Sequence, residues 1–148
     1  MGRQTIEDWA LQLASITSER STCIRRKAGC VALDYSKRLI ATGYNGVPRG
    51  FPHCITTPCA GAMDAPGDTS NCYAIHAEIN CVINCVDPQS IRSMYITASP
   101  CFKCALVLAN LESLTDVYFI EYYSDRRGLE VLAKAGINVH HEPNYKRV

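Results

Sequence analysis

The sequence predicts an α/β fold in three layers, a mixed sheet with helices on both faces. Three observations predict it. Two short apolar runs, "GCVAL" (29–33) and "RLIATGY" (38–44), flank polar "DYSK" and read as a hairpin. Three later strand-like runs, "SMYIT", "DVYFIE" and "INVHH", are separated by stretches with apolar groups at helical spacing. A chain of 148 residues buries about 70% of its unfolded surface, so one domain over 1–148 can carry its own core.

Residues 5–19 place Ile6, Trp9, Ala10, Leu13 and Ile16 on one stripe of a first helix. The hairpin follows. Residues 45–74 are rich in Gly, Pro, Cys and Asn and have no period. Loops beyond about 12–15 residues are usually functional or disordered. A helix starts at His76 and is expected to bury Ile79, Val82, Ile83 and Val86. "SMYIT" (93–97) is a strand. Ser99 and Pro100 then open a helix as N-cap and first-turn proline, and it runs through Ala105, Leu108 and Ala109. "DVYFIE" (116–121) is a strand, Ser124 or Asp125 caps the next helix, and Gly136 ends it. "INVHH" (137–141) is the last strand.

A net charge of +1 lacks the basic excess of a nucleic-acid binder. No apolar run reaches the roughly 20 residues of a membrane span, and "MGRQTIEDWA" has no apolar signal core. The expected setting is the cytoplasm, with neither nucleic acid nor membrane as partner. Nine cysteines then stand out. An odd number in a reducing compartment argues against a disulfide framework. Some should be metal ligands and others small core hydrophobes. Cys30, Cys81 and Cys85 lie in apolar strand-like or helical runs and belong to the second kind.

The chemistry concentrates in "HAE" (76–78) and "PCFKC" (100–104). His76 opens one helix; Cys101 and Cys104 lie in the first turn of the next. Cysteines three apart share a helix face, so both sulfurs reach one ion, and a helix N-terminus favours thiolate. Helix starts gathered at one sheet edge meet where α/β folds place ligands. One His and two Cys leave the fourth tetrahedral position of a zinc open, the pattern of a catalytic site. Glu78 is then free to handle protons beside it. Taken singly, a CxxC could be a redox pair, a lone His structural, and a fourth cysteine could close the zinc. The combination H-x-E…P-C-x-x-C is much more specific than its parts.

The chain resembles the cytidine/deoxycytidylate deaminase superfamily, and within it the deoxycytidylate (dCMP) deaminases. Besides the two motifs, the likeness includes "STCIRRKAGCV" (21–31), "ATGYNGVPRGFPHC" (41–54) and "EYYSDRRGLEVLAKAGI" (121–137). Ala28 departs from the valine usual there, a packing difference only. The resemblance implies a three-layer α/β/α cytidine deaminase-like fold with roughly five strands. It implies hydrolysis of dCMP to dUMP and ammonia, supplying thymidylate synthesis. Water activated by the catalytic zinc attacks C4 of cytosine, and Glu78 passes protons to ring N3 and to the departing amine. It implies that the Ala77 backbone and the Ser99 carbonyl hold the base edge, that Asn45 binds the sugar, and that a loop with Tyr122, Tyr123 and Arg126 covers the substrate. In regulated members Tyr44, Asn45 and Gly46 take a dCTP or dTTP effector, with Mg2+ accompanying the triphosphate. Family members are homo-oligomers, commonly hexamers.

Two further expectations concern phosphate and metal. Arg25, Arg26, Arg49, Arg126 and Arg127 fall in the three substrate-facing segments, and a guanidinium matches phosphate oxygens. At most two should touch it, with "CIRR" and "YYSDRR" the first sources. Cys23, Cys54, Cys59 and Cys72 lie outside the core-like positions, three of them in the long loop. A loop so poor in periodic hydrophobics gains order from a second, closed structural zinc, with His53 as substitute ligand. The resemblance points the same way. Alternative activities are deamination of nucleosides or of bases in tRNA or single-stranded DNA. From another class, the chain could be a zinc-stabilised binding module without turnover.

Overall fold

The structure, a computed structural model, describes residues 2–146. Helix α1 (Ile6–Ser18) leads into the hairpin β1 (Gly29–Leu33) and β2 (Leu39–Tyr44). After the long loop come α2 (Ala77–Asn84), β3 (Ser93–Ala98), α3 (Phe102–Ala109), β4 (Asp116–Glu121), α4 (Arg127–Lys134) and β5 (Asn138–His141). A short 3-10 turn, Pro88–Ser90, links α2 to β3. The five strands form one mixed sheet in the order β2-β1-β3-β4-β5. β1 runs antiparallel to β2 and β3, and β3, β4 and β5 run parallel.

β1 is buried on both faces, and its alternation divides the core. Cys30 and Ala32 face one cluster, with Ala77 and Cys81 of α2, Ala105 and Leu108 of α3 and Leu132 of α4. Val31 and Leu33 face the other, with Ala10, Leu11 and Ala14 of α1. That is the predicted three-layer sandwich. Gly136 ends α4 at φ 79°. Its N–H donates to Ala133 O and that of Ile137 to Leu132 O, a Schellman closure. Cys30, Cys81 and Cys85 are buried as expected.

Three local expectations are corrected. α2 turns Ala77, Glu78 and Cys81 inward, while Ile83 is 64% exposed; the helix ends at Asn84, and Val86 lies beyond it in solvent. On α1, Leu11 and Ala14 take the central place and Ile16 points outward. The cause is the same in both. A Cβ on Gly43 of β2 would sit 2.3 Å from Cys81 N and 2.4 Å from Ala77 O, and one on Gly29 of β1 2.1 Å from Ala14 O. Where a helix backbone touches the strand, the residues at the contact are small, Ala77 and Cys81 on α2 and Ala14 and Ser18 on α1. The third correction is the start of α3. Its N-cap is Cys101, not Ser99; Cys101 Sγ accepts from Cys104 N–H at 3.4 Å. Ser99 Oγ instead accepts from Tyr123 N–H at 2.7 Å. Asp125 serves α4 from one position before its N-cap, accepting from Arg127 N–H at 3.0 Å.

Among the described residues, no helix is long and apolar enough to cross a membrane. Gly43→Ala tests the α2 contact. Overpacking costs about 1–3 kcal/mol, which at this size lowers Tm by roughly 2–4 °C per kcal/mol. Calorimetry should show that fall, and an unchanged Tm would refute the close approach.

Candidate active site

Every piece of the site arrives at the carboxyl edge of β3 and β4. β3 ends at Ala98, paired with Glu121 at the end of β4, and Ser99 N–H donates to Glu121 O at 2.8 Å. Because β1 is antiparallel to β3, its start lies at this edge too. The end of β2 follows, with Asn45 N–H donating to Ala28 O at 3.0 Å. α2 and α3 both begin here, with His76 and Cys101 as their N-caps.

His76 Nδ1 lies 3.5 Å from Cys101 Sγ and 3.3 Å from Cys104 Sγ. The three ligand atoms fall within 4.8 Å of one another, alone in doing so among the described residues. Bond lengths of about 2.3 Å to sulfur and 2.0–2.1 Å to nitrogen give a tetrahedral N–S edge of roughly 3.5 Å. The donor set therefore fits zinc in spacing and in chemistry. Hydrogen bonding from Cys104, then from His76, draws the Cys101 thiol down to about 4. Cys104 is pushed well above its ordinary value by that same contact and by burial. The CxxC spacing joins the N-cap to the third helical residue, so Cys101 caps the helix and points at the metal position together.

Glu78 is only 5% exposed. Burial pushes its carboxyl above the ordinary range, and the opposing pull of His76 is smaller. A carboxyl held above its ordinary range is better suited both to accept and to give a proton.

A cavity of about 400 Å³ opens on this edge. It is lined by His76, Ala77, Glu78, Ser99, Asn45 and Tyr123, among others. Asn45 is 5% exposed; its Nδ2 donates to Arg26 O at 3.2 Å, while its Oδ1 is buried without a partner. "Asn-Gly" makes no hairpin here, and Gly46 instead pairs with Ile75 in an isolated bridge. The Ala77 N–H, in the first turn of α2, has no intrahelical acceptor.

The arginines separate. Arg26 lines the cavity with its guanidinium 4.8 Å from the Tyr123 ring centre. Arg25 also lines it, but donates to three loop carbonyls, those of Gly61, Asp68 and Ala65. Arg126 covers Tyr122 at 3.8 Å, and that pair stands outside the cavity lining. Arg127 is paired with Asp125 at 2.7 Å. Arg49 lines a second cavity of about 320 Å³ with Tyr44, Gly46, Phe51 and His53. The "YNG" segment thus divides: Asn45 faces one cavity, Tyr44 and Gly46 the other. Of the remaining cysteines, Cys54 Sγ and Cys59 Sγ lie 3.7 Å apart, and Cys72 neighbours both Cys23 and Cys59. These four do not close into a tight group. Sequence reasoning missed the tie from Arg25 to the loop, because nothing in "CIRR" shows which carbonyls a guanidinium will meet.

Three metal ligands beside a buried carboxylate, at the carboxyl edge of an α/β/α sandwich, define the class of zinc-binding deaminase domains. Residues 4–121 match the cytidine and deoxycytidylate deaminase zinc-binding region, and the chain belongs to that family. It is 32% identical over 142 residues to a deoxycytidylate deaminase of Saccharomyces cerevisiae, covering 93% of this chain and 45% of that one. It is 34% identical over 116 residues to a deoxycytidylate deaminase of Mycobacterium phage D29, covering 74% and 90%. This chain spans less than half the length of the yeast relative. The crystal structure of dCMP deaminase from the cyanophage S-TIM5 in apo form superposes with a TM-score of 0.73 at 25% identity, covering 95% of this chain and 99% of that one. The same cyanophage enzyme in complex with dCMP and dUMP gives 0.76 at 24%.

The geometry separates ligands from Glu78. Cys101→Ser and His76→Ala should lose zinc on dialysis, whereas Glu78→Ala should keep it, measured as metal per chain. Loss of zinc from Glu78→Ala would make Glu78 a ligand.

Proposed function

We propose that residues 1–148 form a single cytoplasmic zinc-dependent deaminase domain that hydrolyses dCMP to dUMP and ammonia, supplying dUMP for thymidylate synthesis. The observation that carries the reading is the buried Glu78 carboxyl beside His76, Cys101 and Cys104, inside a cavity of nucleotide size. The relatives' names support the substrate. Zinc held by those three residues supplies the Lewis acidity that makes water a nucleophile near neutral pH. Glu78 takes one proton from the attacking water and delivers it to ring N3, then takes the second from the new C4 hydroxyl and passes it to the exocyclic amine, so that the C4–N bond breaks, ammonia leaves and C4 becomes a carbonyl. The Ala77 N–H and the Ser99 carbonyl hold the base edge. Asn45 presents its unpaired Oδ1 as an acceptor while one Nδ2 hydrogen is taken by the Arg26 carbonyl, so it suits a donor such as a sugar hydroxyl. Arg26, backed by Tyr123, is the arginine best placed for the 5′-phosphate.

Ammonia release from dCMP, deoxycytidine and cytidine tests this directly. A charged hydrogen bond is worth about 1.5–3 kcal/mol, so dCMP should exceed deoxycytidine in kcat/KM by roughly 10–100-fold. Comparable values would refute phosphate recognition, and no ammonia from any of the three would favour a binding module.

A second, structural zinc on Cys23, Cys54, Cys59 and Cys72 is part of the same proposal. The closeness of Cys54 to Cys59 supports it, as does the Cys59 thiol, lowered foremost by a hydrogen bond from the Tyr73 backbone. His53 lines the other cavity and is the weaker substitute. Metal analysis should find two zinc ions per chain, falling to one in Cys54→Ser. One zinc in the fully loaded wild type would contradict the second site. The second cavity supports an effector site for dCTP or dTTP with Mg2+, using Tyr44, Gly46 and Arg49. Exposed Ile83 on α2, Val86 just beyond it, and Leu106 and Val107 on α3 support homo-oligomerisation, a hexamer by family resemblance.

A further inference from the structure

Residues 61–72 supply Asp64, Pro66, Gly67, Thr69 and Cys72 to the wall of the substrate cavity. This segment has little to hold it in place. Residues 63 and 65–71 are exposed, and no helix or strand runs through it. Its own hydrogen bonds are local turns: Ala62 to Cys59, Asp64 to Gly61, Asp68 to Ala65 and Cys72 to Thr69. Ser70 bonds Asp68, and Asn71 bonds Asp64. Among the described residues, Arg25 is the side chain outside the segment that donates hydrogen bonds to its backbone. Arg25 Nη1 donates to Gly61 O at 2.9 Å and Asp68 O at 2.7 Å, and its Nη2 to Ala65 O at 3.1 Å.

We propose that Arg25 is a positioning residue for the substrate: its guanidinium clamps the 61–68 turn into the cavity wall, leaving Arg26 to read phosphate. The planar fork suits this task. It presents several donors in fixed directions, so three carbonyls from residues up to seven apart converge on one group. The three carbonyls so engaged are held at fixed distances from one group, and the segment keeps the curvature that makes it a wall. A lysine offers a compact charge on a flexible stem and cannot reproduce the fork. The two neighbouring arginines therefore differ in kind: Arg26 faces the cavity from a ring face, while both terminal nitrogens of Arg25 are engaged by the protein itself.

The inference rests on the dCMP reading for its kinetic test but carries an independent physical one. In Arg25→Ala the wall loosens for every ligand alike. KM should rise by about tenfold or more for dCMP and deoxycytidine in equal proportion, with kcat little changed, the signature of lost binding common to ground and transition states. Arg26→Ala should affect dCMP alone. Arg25→Lys should not rescue. Proteinase K, read by mass spectrometry on the zinc-loaded proteins, should cut between residues 61 and 70 faster in Arg25→Ala than in wild type. A loss confined to dCMP would make Arg25 a phosphate ligand and overturn the proposal. Unchanged kinetics, full rescue by lysine, or wild-type resistance to cleavage would overturn it too. If neither nucleotide nor nucleoside is deaminated even by wild type, the functional reading fails, and cleavage alone decides the clamp. If Arg25→Ala does not fold, Arg25→Lys carries both readouts.

Discussion

The structure depends on one constraint: two helix N-termini must stand within a few ångströms of each other over the end of β3. His76 Nδ1 reaches both sulfurs only if α2 lies hard against the hairpin and α3 starts at once after the strand. Gly43 meets the first condition, since any side chain there would strike the backbone of α2. Cys101 meets the second, because as N-cap it begins the helix at the same residue that offers its sulfur. The small, sulfur-rich inner face of α2 follows from this. Close approach selects Ala77 and Cys81 inward and leaves Ile83 in solvent.

The same constraint explains the electrostatics. Burying Glu78 without compensation would be expensive, and burial holds its carboxyl upward. It sits one helical position beyond Ala77, on the inner face, so it cannot leave the site without moving the helix. The other side of the cavity is built differently. There a long segment without regular structure is tied by backbone turns, neighbouring sulfurs and one arginine fork. One wall is rigid by packing and holds His76, Glu78, Cys101 and Cys104; the other is held by a few polar ties and bounds the cavity from the opposite side.

Much of this was legible in the sequence. The five strands, the order of helices, the core role of Cys30, Cys81 and Cys85, and the gathering of His76, Cys101 and Cys104 near Glu78 all follow from period and spacing. What failed were details set by contact distance. Apolar periodicity put Ile83 and Val86 inside, because a pattern of hydrophobics registers neither the close approach of Gly43 to Ala77 and Cys81 nor the end of α2 at Asn84. Ser99 looked like the N-cap, since serine before proline usually is, but the tight passage from β3 turned its hydroxyl to the Tyr123 amide. The division among the arginines was invisible for the same reason: five guanidiniums look alike until their acceptors are placed. The unpaired Oδ1 of Asn45 could not be foreseen either, because it depends on the Arg26 carbonyl taking up its other end.

The central claim is an open metal site with three protein ligands and Glu78 standing beside it. A zinc-edge anomalous difference map from crystals of the protein tests it most directly. The account predicts a peak about 2.0–2.1 Å from His76 Nδ1 and about 2.3 Å from both Cys101 and Cys104 sulfurs, with the Glu78 carboxyl beyond bonding distance and the fourth position turned to the cavity. A peak bonded to Glu78, or closed by a fourth protein sulfur, would contradict it.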